Sequence, residues 1–177
     1  MEKKQVLLYG FGDQQEALCQ ILERFHAEPR PVSEEEADET IGYLCGLPGF
    51  HRKNRKKEGT LSPLLVFHNI SREELDGILQ AIRESGITVQ SLKAMVTPTN
   101  ENWTLRSLFG EIQQEHETMN ALMKLKRLRD QAPAPDIGNP QMMMALMHAE
   151  QMLSGTREVT VREVEEAYRQ LLAVIEK

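Results

Sequence analysis

Residues 5–16 read QVLLYGFGDQQE, and residues 63–74 read PLLVFHNISREE. Each is an apolar, β-favouring run that passes into a capping residue with a glutamate three places on: Asp13 with Glu16, and Ser71 with Glu74. A strand followed by a helix is therefore predicted twice. Behind the first strand, Leu18, Ile21, Leu22 and Phe25 recur at helical spacing, and a shift of 57 lands on Leu75, Ile78, Leu79 and Ile82. The same shift carries Leu7, Leu8 and Val32 to Leu64, Leu65 and Val89. Pro29 is expected to end the first helix, and Arg30-Pro31-Val32 to form a weak strand between prolines. Residues 64–68 and 88–96 are the expected strands of the second unit. Two amphipathic helices can share a stripe by chance; duplication is the reading adopted here.

Duplicated βαβ units imply an α+β fold, with a ferredoxin-like sheet or a mixed four-stranded one, the first being favoured. A further echo relates Thr40-Ile41-Gly42-Tyr43-Leu44 to Thr104-Leu105-Arg106-Ser107-Leu108, and both read as helix starts. The organisation expected is a first unit over 1–50, a basic linker over 51–61, a second unit with a long helix over 62–130, a linker over 131–140, and a C-terminal helical hairpin or small bundle over 141–177.

With 177 residues and a net charge of −6, the chain is long enough for a core and acidic, which argues against general nucleic-acid or anionic-membrane binding. Aromatics are sparse at 5%, so aliphatics and the 9 methionines must fill the core. Cys19 and Cys45 are too few and too far apart for a zinc site or a disulfide framework and read as reduced core thiols. The N-terminus lacks a signal-peptide core and no run of 18 apolar residues occurs, so a cytoplasmic protein is expected. The run Arg52, Lys53, Arg55, Lys56 and Lys57 reads as a solvated connector, with an anion grip as the alternative.

Beyond Trp103 the positions Leu105, Leu108, Phe109, Ile112, His116, Met119 and Met123 predict one helical stripe continuing to about Asp130. Pro140 suits the first turn of a helix over 141–153 rich in methionine, and Thr160 with Glu163 caps the last one. The methionines read first as core filler and second as an adaptable interface. Glu111, Glu115 and His116 lack the two-histidine spacing of a metal motif, and no metal or cofactor is expected.

The stretch KAMVTPTNENWT, residues 93–104, carries the most polar information in the chain. Pro98 stops a strand, and Asn100 or Asn102 is placed to cap a helix starting near Trp103. If strands 64–68 and 88–96 are parallel neighbours, His68, Asn69, Lys93, Thr97, Thr99, Asn100 and Trp103 are candidates for a ligand site at the strand ends, suited to a small anion. Residues 63–117, with the pattern K-A-x-x-T-P-T-N-x-x-W-T followed by E-x-x-x-E-H, resemble a bacterial family of uncharacterised proteins, a domain of unknown function. The resemblance implies a bacterial, cytosolic protein and no catalytic role for any residue. No nucleophile motif, phosphate-binding loop or dinucleotide fingerprint is present, so whether the chain is an enzyme stays open. The first expectation is a non-catalytic binding or regulatory protein acting by self-association or on a protein partner through its C-terminal helices, with Met143, Met147, Tyr168 and Leu171 as interface candidates. The alternative is a sensor or enzyme for a small anionic metabolite, using the strand-end pocket.

Overall fold

Gln5–Tyr9 forms β1, buried along its whole length. The computed structural model describes residues 3–54, 59–87, 90–133 and 138–176. These fall into two compact units, 1–112 and 113–177, each of which has its own core.

In the first unit β1 leads through a 3-10 turn into α1 (Gln15–Arg24) and then β2 (Glu28–Val32); β3 (Leu64–His68) leads through α3 (Arg72–Glu84) to β4 (Leu92–Met95). The strand order is β2-β1-β3-β4, with β1 parallel to β2, β3 parallel to β4, and β1 antiparallel to β3. Of the two arrangements expected, this is the mixed sheet: each βαβ unit keeps its own strands adjacent, and the units join back to back. The central ladder pairs Leu7 with Val66, Leu8 with Leu65 and Tyr9 with Leu64, so the shift of 57 maps it onto itself. Asn69 and Gly12, also 57 apart, both take left-handed backbone, φ 54° and 49°. Val89, the echo of Val32, lies outside the described residues.

Alternation along the strands makes two cores. Val6, Leu8, Leu65 and Phe67 face α1 and α3, where Leu18, Leu22 and Ile78 are buried. Leu7, Tyr9, Leu64 and Val66 face the short helix α2 (Ile41–Leu44) and Leu105, Leu108 and Phe109 at the start of α4 (Leu105–Gln131). Thr40 and Thr104 meet in an antiparallel bridge above this second face. The bonds around it are reciprocal. Ile41 N–H donates to the Trp103 carbonyl (2.9 Å) and Leu105 N–H to that of Glu39 (3.1 Å); Gly42 N–H donates to Glu101 (2.8 Å) and Arg106 N–H to Ala37 (2.9 Å). Donors and acceptors exchange under the shift of 64 between the two threonines.

Ser71–Glu74 and Thr160–Glu163 form the reciprocal capping boxes expected of them. Asp13 and Glu16 do not: Gly12 enters a 3-10 turn with positive φ, and α1 starts at Gln15 with no side-chain cap. Pro29 does not end α1, which stops at Arg24, but sits in β2 with Pro31. Glu28 N–H donates inward to the Lys4 carbonyl (2.9 Å), so by alternation the two prolines stand where β2 would direct N–H groups outward, and the ladder loses no bond. The cap of α4 is neither Asn100 nor Asn102 but Thr104, whose hydroxyl accepts from Ser107 N–H at 3.0 Å.

The capping carboxylates set an acid limit. The Lys4 ammonium, with the Ser71 amide and hydroxyl, lowers Glu74 to about 2; the Thr160 amide and hydroxyl, with Arg157, lower Glu163 to about 2. Depressed values mean that both caps contribute fully above the ordinary value of 4.5 and are lost as pH falls from there towards 2. A carbon-13 NMR titration of the side-chain carboxyls should place both midpoints far below the ordinary value of 4.5, and Lys4→Met should raise that of Glu74 while leaving that of Glu163 in place.

The second unit consists of α4 from Gln113 on, α5 (Pro140–Leu153) and α6 (Val161–Ile175). Asn139 caps α5 by accepting from Met142 N–H at 3.1 Å. Its core is Leu125, Met142, Ala145, Ala149, Met152, Val164, Ala167 and Leu171, where the alanines of α5 and α6 let the two helices approach closely. The single stripe expected on α4 is corrected here. Ile112 is half-buried in the first unit, but His116, Met119 and Met123 are exposed, and the second unit takes Ala121, Leu122, Leu125 and Leu128 instead. The helix serves two separate cores, so its apolar residues change phase between them.

Candidate functional site

His68 ends β3, and beside it β4 runs parallel, so the carboxyl ends of both strands lie at one edge of the sheet. Val96 N–H donates to the Phe67 carbonyl at 2.8 Å, which brings Thr97 to this end. A tight turn follows. Asn100, buried, accepts from Thr97 N–H at 2.8 Å through Oδ1 and donates to the Met95 carbonyl at 2.9 Å through Nδ2. Both ends of its amide are thus engaged in shaping the chain. Trp103 is partly exposed and held through its backbone, which bonds Asn100 and Ile41. Thr97 and Thr99 are exposed. Lys93 pairs with Leu65 in the ladder and shares its face, whereas His68 lies on the opposite one, and the Lys93 ammonium donates to the Ser91 carbonyl at 3.0 Å. The strand end therefore brings His68, Asn69 and Thr97 to one edge, commits Asn100 to the turn, and separates Lys93 from His68.

A second cluster was not foreseen from the sequence. Glu39 is 1% exposed, and its carboxylate accepts from Lys53 N–H and Asn54 N–H, both at 2.7 Å. Its neighbour Asp38 pairs with Arg106 through two contacts, Nε to Oδ1 at 2.9 Å and Nη2 to Oδ2 at 3.3 Å, while Arg106 Nη1 donates to the Gly59 carbonyl at 2.7 Å. Two consecutive acids thus fasten both flanks of the basic stretch, whose residues 55–58 lie outside the described residues. Residues 52–54 are exposed, as expected of a solvated stretch, but the backbone of Lys53 and Asn54 is held in place by Glu39. Only long-range contacts create this arrangement, and no local spacing signals it.

Cys19 and Cys45 are both free thiols. Burial pushes Cys45 up to about 11, which makes it an unreactive core group. Among the described residues no cluster of histidine, cysteine and acidic side chains could hold a metal ion, and His116 stands exposed on α4.

In the second unit α5 buries Met142, Ala145, Ala149 and Met152 and packs Leu146 and Leu153 partly against the same core. The methionines are accordingly not core filler for the most part: Met144 is 72% and Met147 67% exposed, with Met119, Met123 and Met143 also at the surface. Met144 and Met147 line a groove of about 910 Å³ together with Ala145, Ala173 and Val174 and the uncharged polar Gln141, Gln151 and Gln170, with His148. Of the interface candidates, Met143 and Met147 are exposed, Tyr168 is half-buried, and Leu171 is fully buried within its own bundle.

Residues 63–119 match the model of a family described as a domain of unknown function, DUF3783, over about a third of the chain. No curated protein and no solved structure matches. Among the described residues no helix is long and apolar enough to cross a membrane.

Proposed function

We propose that the chain is a non-catalytic binding or regulatory protein that works through the methionine face of its helical unit, and that a second copy occupies that face. The observation that carries the reading is an exposed, largely apolar groove with the two methionines in its wall: Met144 and Met147 line it together with Ala145, Ala173 and Val174. A two-fold interface needs one surface that complements itself, and flexible thioethers in the wall of each groove let the two copies repack against one another. The groove lining contains no lysine, arginine, aspartate or glutamate, so two copies meet there without like-charge repulsion.

Sedimentation over a wide range of concentration should show reversible dimerisation. Met147→Glu, which buries a charge in that interface, should weaken it at least about tenfold while leaving the exposed-face helix folded. A monomer at every concentration would reject the second copy as occupant.

The two βαβ units are read as an internal duplication, supported by the self-mapping ladder and by the reciprocal bonds around Thr40 and Thr104. A bacterial cytoplasm is the compartment that fits the two free thiols and the resemblance of residues 63–117.

A further inference from the structure

Gln5 and His68 face each other directly across the antiparallel β1/β3 pair. Alternation puts both on the side of the sheet that carries Leu7 and Val66. Gln5 is only 4% exposed, and Gln5 Oε1 and His68 Nδ1 are both buried with no hydrogen-bond partner. The pair is not demanded by the architecture, because at the positions 57 away stand Phe11 and Ser62.

Buried polar atoms in folded proteins are matched, and where no protein group reaches them an internal water does so, bridging two to four partners. Opposed residues of an antiparallel pair hold their Cβ atoms about 4.5–5.5 Å apart, close enough for one water to serve both side chains. We propose that Gln5 and His68 form a binding site for a single internal water, Gln5 Oε1 and His68 Nδ1 each accepting one of its O–H groups. Uncharged His68 then carries its proton on Nε2, leaving that nitrogen as the only donor of the ring.

Nitrogen-15 NMR of the full-length protein tests this directly. The expected result is an Nε2–H tautomer for His68, together with a water cross-relaxation peak to the His68 ring or the Gln5 amide. An Nδ1–H tautomer without such a peak would mean that His68 donates straight to Gln5, and would overturn the proposal. Stability supplies a second readout. Gln5→Leu or His68→Phe alone strands one acceptor and should lower the folding equilibrium constant about tenfold, whereas the two together should restore most of it. Single variants as stable as the double would count equally against the site.

Discussion

Glu39→Ala should lower the stability of the sheet unit by about 3 kcal/mol, a loss larger than most point substitutions produce. The carboxylate is buried and accepts two short bonds from consecutive amides, Lys53 and Asn54. Hydrogen bonds to a charged group contribute about 1.5–3 kcal/mol each, and removing the acceptor also releases the flank of the loop. Arg52 adds little: its guanidinium stands 3.8 Å away and is half exposed, so water and salt screen it. Glu39→Gln keeps one acceptor and presents an N–H where a lone pair is needed, so it should fall between alanine and wild type. Urea denaturation measures the loss, and hydrogen exchange at Lys53 and Asn54 should accelerate in step. An unchanged exchange rate at those amides would show that another group holds them.

Asp38→Ala should be of similar size, about 3 kcal/mol, for a different reason. The pair with Arg106 is two-pronged and largely buried, so taking away one partner leaves the guanidinium in a desolvated place without its carboxylate. Replacing a buried pair by apolar side chains of similar shape is far less damaging than breaking it. Asp38→Leu with Arg106→Met should therefore be more stable than Asp38→Ala alone, and a double-mutant cycle should give a coupling of about 2 kcal/mol. Additive losses in that cycle would place the energy in the Gly59 contact of Arg106 instead.

Both residues show where the sequence stops being informative. Asp38 and Arg106 are 68 positions apart, and Glu39 reaches amides 14 and 15 positions on, so no local pattern announces them. The sheet was legible because its signals are local: the apolar runs at 5–9 and 64–68, the stripes behind them and the Ser71–Glu74 box follow from spacing alone. Identical spacing at Asp13 and Glu16 misled, since a glycine in left-handed backbone displaced the helix start. The methionines misled for another reason. A helix that is apolar nearly all round, as α5 is, does not reveal which of its faces turns inward, and only the alanines at 145 and 149 mark the packed side. At the strand end the polar, turn-forming character of 93–104 is legible in its composition, but the commitment of both ends of the Asn100 amide to the turn depends on how the backbone folds back on it, which no spacing signals.

The two prolines of β2 also restrict how this protein meets others. A partner that binds by adding a strand needs a free edge with N–H and C=O groups to pair with, and recognition of that kind depends on main-chain bonds. With Pro29 and Pro31 on its open side, β2 offers carbonyls but not the matching donors. That margin of the sheet is therefore closed to strand exchange and fibril-like stacking.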